Sequence, residues 1–260
     1  MQKLPTLFIS HGSPMHAINA GAAGDVWAAL ANELPTPKAV LMVTAHWETN
    51  LPMLSGNAKP SMIYDFGGFP EALYKINYPA PGAPDVAAKA QALLKDAGIT
   101  AGIDGCRGID HGTWVPLLKM YPHADVPILQ LSVQTTMNPR HHYDVGRALA
   151  PLTRQGVLIV GSGHLTHNLR DWMQSRGQAA PAAYAQNFQR WVFDHLATHD
   201  IDALTRYRQD APDAVRAHPT EEHFLPLFVA LGAAAEDAKA YRVFAGFEGS
   251  ALAMDAYRFG

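Results

Sequence analysis

Histidine is the residue type that decides what this chain can do: it occurs 13 times in 260 residues, beside one cysteine. Imidazole is the commonest protein metal ligand and the side chain that exchanges protons most readily near neutral pH. Three short apolar runs end in it. His11 comes directly after Thr6–Ser10, in Ser10-His11-Gly12-Ser13-Pro14, and His46 closes the run 39–45, in Thr44-Ala45-His46-Trp47-Glu48. His164 and His167 follow the run 157–161, in Gly163-His164-Leu165-Thr166-His167-Asn168. In open α/β sheets, ligands bind outside the carboxyl ends of the strands, so these histidines point to one site at that edge.

His223 reaches the same region by another route. Thr220 reads as a helix N-cap with Glu221 and Glu222 in the first turn. His223 then falls at N3, where a capping box prefers Glu or Gln, so a ligand role explains it better than a structural one. His111 lies in Gly108-Ile109-Asp110-His111-Gly112-Thr113-Trp114, where a functional histidine and a loop histidine fixed by hydrogen bonds are both open. His164 is equally ambiguous. His16, His123, His141, His142, His195, His199 and His218 stand in polar or helix-surface contexts and read as solvated or structural.

Absent motifs narrow the chemistry. There is no H-E-x-x-H, and His218 to His223 is one residue too long for the inverted form, which argues against a zinc protease. No G-x-S-x-G elbow or P-loop occurs, and Gly161-Ser162-Gly163 lacks the third glycine of a dinucleotide fingerprint. Cys106 alone excludes a disulfide framework or thiolate cluster; it reads as a small packed side chain. Imidazoles at 11, 46 and 223 without thiolates fit zinc or non-haem Fe(II).

The elements that must carry these residues alternate. Apolar runs at 6–10, 39–45, 126–133 and 157–161, with a weaker one at 240–245, read as strands covered on both faces. Segments 25–34, 83–97, 143–154, 180–197 and 221–231 have helical spacing. The pattern predicts an α/β layered domain, with a central, largely parallel or mixed sheet flanked by helices. We find no linker or repeat, so residues 1–260 read as one domain. Segment 56–84 is irregular but carries Tyr64, Phe66, Phe69, Tyr74 and Tyr78, and so reads as an ordered loop over a site. It supplies either a wall for a ring-shaped ligand or a satellite core. With 20 basic against 23 acidic residues, the net charge of -3 gives no case for nucleic-acid or membrane-surface partners. No run is long enough to span a bilayer and no signal peptide is evident, which predicts a cytoplasmic protein.

The strings SHGSPM, TAHWET, YDFGGFP, YPAPG, DHGTWVPL, SGHLTHNLR and TEEHFLPL occur in order from about residue 5 to the C-terminus. In these the chain resembles the class III extradiol ring-cleavage dioxygenases (the LigB-like fold), most nearly the DOPA 4,5-dioxygenase branch. That resemblance implies an enzyme that opens a catechol ring with O2 at a non-haem metal site, expected to hold Fe(II), with Zn(II) as the alternative. It implies His11, His46 and His223 as metal ligands. The superfamily elsewhere uses a carboxylate in the third position, so Glu222 stands beside His223 as a rival. It also implies His167 as catalytic base or fourth ligand, and His111 as the group that binds or protonates the oxygenated intermediate. A zinc-dependent hydrolase or lyase, or a non-catalytic binding protein, on the same scaffold are the competing readings.

Overall fold

The computed structural model describes residues 3–175 and 180–260; the one-domain reading of 1–260 therefore includes a few positions outside the described residues. Ten strands are present among the described residues: β1 (Thr6–Ser10), β2 (Ala39–Glu48), β3 (Met53–Ser55), β4 (Gly102–Asp104), β5 (Ile128–Val133), β6 (Val157–Gly163), β7 (Ala240–Phe244), β8 (Phe247–Glu248), β9 (Leu252–Ala253) and β10 (Ala256–Phe259). Eight form one sheet in the order β4-β3-β5-β2-β6-β1-β10-β7, and β8 and β9 form a small separate hairpin. The central β5, β2, β6 and β1 are parallel. β3 runs antiparallel to β5, and β10 runs antiparallel to both β1 and β7. The sheet is therefore mixed around a parallel centre.

Why those four runs are mostly apolar is visible in the two cores. Phe8, Leu41, Val43, Leu129 and Ile159 point to one face, while Leu7, Ile9, Val40, Met42, Leu158 and Val160 point to the other. Successive strand residues alternate sides, so a strand buried on both faces is mostly apolar, and the polar residues it keeps, such as Ser10, Thr44, Gln130 and Ser162, are hydrogen-bonded.

The first face is covered by α2 (Pro84–Asp96), α4 (Pro139–Leu149), α6 (Ala183–Ala197) and α10 (Leu225–Ala233), the second by α1 (Gly21–Glu33) and α3 (His111–Met120). The short helices α5 (Leu169–Gln174), α7 (Ile201–Thr205), α8 (Tyr207–Asp210) and α9 (Ala214–Ala217) complete the stretch between β6 and α10.

Several boundaries differ from the sequence reading for physical reasons. β2 extends to Glu48, so His46 lies inside the strand. β5 starts only at Ile128, because Pro127 has no amide to give the ladder. The helix expected over 143–154 begins at Pro139, where Asn138 caps it by accepting from the His141 amide. It stops at Leu149, ahead of Pro151. The helix expected at 221 starts at Leu225. Thr220 donates to Glu222 instead of capping, and residues 221–224 make a separate turn. Helix α3 escaped the pattern because Pro116 sits inside it. Cys106, read as packed, is exposed.

Candidate metal centre

β6 lies between β1 and β2, so the side chains leaving the carboxyl ends of those two strands meet over its tip. Ser10 clamps the exit of β1: its hydroxyl is within 2.9 Å of the Asp255 carbonyl and its amide donates to that carbonyl too. His11 follows. Its Nδ1 is 3.0 Å from the Ser162 hydroxyl, whose own proton goes to the Gly112 carbonyl. Ser162 can then only accept from His11, which fixes the Nδ1–H tautomer and leaves Nε2 with a lone pair.

His46 arrives from β2. Its Nδ1 is 3.4 Å from the Asp65 carboxylate, and its Nε2 is 3.0 Å from Nε2 of His11. His223 donates from Nδ1 to Glu222 at 2.9 Å, so its free lone pair is also on Nε2. The ligand atoms of His11, His46 and His223 lie within 4.8 Å of one another.

Glycine makes the approach of His223 feasible. A Cβ on Gly163 would sit 2.0 Å from the His223 carbonyl oxygen, and one on Gly161 would sit 2.3 Å from that of Pro226. The bare backbone of β6 lets the start of α10 lie against it, and His164 donates its amide to the His223 carbonyl at 2.8 Å. The Gly-Ser-Gly string is thus a docking surface for His223 and an anchor for His11, with no dinucleotide role.

His111 opens α3. Asp65 takes both its amide (3.0 Å) and its Nδ1–H (2.9 Å), filling an orphan donor of the helix N-terminus as well as orienting the ring. The His46 and His111 rings are 4.0 Å apart. Behind them Asp110, fully buried, accepts from Thr44, Arg107, Thr113 and Gln130. A buried carboxylate with that many donors is stable, and it ties β2 and β5 to α3.

His167 stacks on His223 at 3.5 Å between centroids, and its amide is held by the Ala217 carbonyl. Its ring makes no hydrogen bond among the described residues. His164 is buried with Nδ1 unpartnered and sits edge-on to His11.

Burial dominates the electrostatics. It pushes His11, His164 and His223 well below the ordinary histidine value, with neighbouring imidazoles adding to the effect. His46 is lowered to about 4 by burial and then by His111, and His167 to about 3 by burial and then by His218. All five are neutral at pH 7. Burial would raise the Asp65 carboxyl, but the hydrogen bonds and charges of His111 and His46 outweigh it and hold it at about 2. Burial raises Glu222.

This donor set fits a divalent metal. Two neutral imidazole lone pairs 3.0 Å apart repel unless a cation shares them. Nitrogens about 2.1 Å from one metal at right angles lie about 3 Å apart. Glu222 is engaged by His223 and Thr220 and is absent from the His11–His46–His223 group, although it forms another with His167 and His223.

The structure thus brings together His11, His46, His111, His167 and His223, and adds His164. Among the remaining histidines, His142 and His218 are buried and hydrogen-bonded, and His123 is exposed. Sequence reasoning missed Asp65 and Ser162. The signal for Asp65 was a charge placed between Tyr64 and Phe66, which is costly unless used. Ser162 carried no such mark.

The family described as "Catalytic LigB subunit of aromatic ring-opening dioxygenase" matches residues 5–254. A 4,5-DOPA dioxygenase extradiol of Beta vulgaris is 42% identical, with 98% of this chain and 96% of the relative covered. The protein of the same name from Escherichia coli (strain K12) is 38% identical, covering 89% and 85%. A crystal structure of an uncharacterized Escherichia coli K12 protein superposes with a TM-score of 0.86 at 33% identity, covering 99% of this chain and 100% of that one. With these likenesses running nearly end to end, the chain belongs to the LigB family of aromatic ring-opening, extradiol dioxygenases.

Proposed function

We propose that this enzyme opens the ring of a DOPA-like catechol by 4,5-extradiol cleavage, with Fe(II) held by His11, His46 and His223. The observation that carries the metal assignment is the trio itself: buried His11 and His223 with half-buried His46, their ligand atoms within 4.8 Å, Nδ1 of His11 and of His223 hydrogen-bonded and that of His46 facing the Asp65 carboxylate at 3.4 Å. Fe(II) is preferred to Zn(II) because ring opening with O2 needs a redox-active ion and zinc has none. Held by these three residues, the ion would supply the redox chemistry that joins a catechol to O2. The relatives named 4,5-DOPA dioxygenase extradiol support the substrate class.

Residues of the chain do the rest. A catechol must lose protons to chelate through both oxygens. His167, neutral and with no ring hydrogen bond among the described residues, offers a ring nitrogen to accept one. His111, with Nδ1 committed to Asp65, presents Nε2 toward the same space as the His46 ring and receives or returns a proton there. Phe66 packs edge-on to His111 at 5.7 Å and against Phe69, Tyr74 and Trp114. This cluster is both a satellite core and the wall for the substrate ring. One domain carries the whole site. The cytoplasm suits it, since a reducing compartment keeps Fe(II) and the exposed Cys106 reduced.

The test is anaerobic loading with Fe(II), then air and a panel of catechols that includes DOPA. A visible-absorbing yellow product and stoichiometric oxygen uptake are expected. Background oxygen uptake with every catechol would remove the proposal and favour the zinc hydrolase reading.

A further inference from the structure

Asp65 lies outside the ligand trio, yet it touches two of the site histidines. One of its oxygens accepts from the His111 amide at 3.0 Å and from His111 Nδ1 at 2.9 Å; the other is 3.4 Å from His46 Nδ1. Its backbone belongs to the aromatic loop, in which Tyr64 donates its hydroxyl to the Ile76 carbonyl and Phe66 packs on His111. Met62 bridges to Ile109: the Ile63 amide donates to the Ile109 carbonyl, and the Ile109 amide donates to the Ser61 carbonyl. The carboxylate is therefore held in place by the loop that covers the site.

We propose that Asp65 is a shared positioning residue: a single carboxylate that fixes both His46 and His111 as Nδ1–H tautomers and aims their Nε2 atoms into one space. The chemistry follows from the donor inventory. A neutral imidazole has one N–H and one lone pair. A carboxylate accepting from Nδ1 commits the proton there and frees Nε2. For His46 that makes Nε2 a ligand atom, and the anionic partner makes it a more basic one. For His111 it leaves Nε2 able to take a proton from a substrate hydroxyl and to return it. One side chain thus couples the metal-holding and proton-handling halves of the site, and it ties both to the order of the aromatic loop. No other carboxylate among the described residues is within hydrogen-bond reach of both rings.

This inference rests on the metal-site reading above, but its test needs neither catechol nor oxygen. In wild-type protein loaded with Zn(II), histidine-selective 15N NMR should show His46 and His111 both protonated at Nδ1. In Asp65→Ala, His111 should lose that signature and take a mixture of tautomers, while His11, anchored by Ser162, keeps its own. Zn(II) affinity should fall about 10- to 100-fold in Asp65→Ala. It should fall less in Asp65→Asn, whose amide oxygen still accepts one N–H. Thermal melts of both variants separate this loss from unfolding, and the wild-type spectrum requires no variant at all. With Fe(II) saturating, Asp65→Asn should lower kcat more than it raises KM. Nε2 protonation of either histidine in the wild type, or unchanged tautomers and Zn(II) affinity in Asp65→Ala, would overturn the proposal. Failure of ring opening with every catechol, with these results intact, would count against the dioxygenase reading alone.

Discussion

His46 and His167 both contact His223, with rings 5.0 and 3.5 Å from it, yet what stands behind each differs. His46 has Asp65 3.4 Å from Nδ1 and His11 facing Nε2, the setting of an anchored ligand; the His167 ring has no hydrogen bond among the described residues. His46→Ala should therefore lose the metal, with less than about a tenth of the wild-type content on purification. His167→Ala should keep it and lose about 10²- to 10⁴-fold in turnover, the usual worth of a general base. Metal analysis alongside oxygen uptake checks both; equal metal loss in the two variants would make His167 a ligand. Glu222 is tested the same way. Glu222→Gln retains an acceptor for His223 Nδ1 and should hold metal nearly as wild type. Glu222→Ala should weaken binding about 10-fold. Complete metal loss in Glu222→Gln would move the carboxylate into the ligand set.

Elements, more than side chains, explain how four distant segments meet. The carboxyl end of β6 is bare backbone, and α10 enters across it with the His223 carbonyl where a Gly163 Cβ would be. Gly163→Ala must push backbone against backbone. It should cost about 1–3 kcal/mol of stability, as overpacking does, and should also weaken metal binding by displacing His223. Gly105→Ala has open space around the new methyl and is the neutral control. Melting curves and Zn(II) titration distinguish them; a Gly163→Ala protein with wild-type metal affinity would mean that His223 is not held by this contact. The same element shows what a sequence can and cannot display. The parallel strands were legible because burial on both faces makes them mostly apolar, and their histidine-bearing ends followed from that. His223 was legible as a residue that a helix start did not need, though the helix itself begins later. The edge strands β3 and β4, and β10 on the other side, were not. They are short and their partners lie far away in sequence, so pairing rather than composition makes them strands. Asp65 and Ser162 act through residues 19 to 151 positions distant, and no local pattern records such a pairing. Helix α3 was hidden by Pro116, which the helix tolerates in the turn after its first.

For the molecule as a whole, the cost of so many buried imidazoles is paid in acid. Two of them lie outside the metal-binding trio and serve structure. His142 accepts the Gln134 amide on Nε2 and faces the Asn138 carbonyl with Nδ1, so it has no room for a second proton. His218 donates from Nε2 to the Leu165 carbonyl, and its Nδ1 is buried without a partner. Burial lowers each to about 4, against partial restoration by those carbonyls. Their folded values lie below the ordinary 6.5, so the stability they contribute is complete above pH 6.5 and is lost as pH falls toward 4. That loss amounts to roughly 3 kcal/mol each across the window. Asp255 works in the opposite sense. Burial raises its carboxyl to about 6 despite the Gln189 and Arg242 contacts, so the folded state takes up its proton first and gains stability as pH falls through 6. Near pH 5 these three together leave a net uptake on unfolding of about one proton, a slope of about 1.4 kcal/mol per pH unit. In metal-free protein, His11, His46, His164, His167 and His223 are lowered in the same direction and steepen that slope. Denaturant melts with chelator between pH 7 and 5 should show stability falling by more than one proton's worth per pH unit, and Asp255→Asn should make the fall steeper still. Stability that stays level across that range would mean that these imidazoles are not held neutral by the fold.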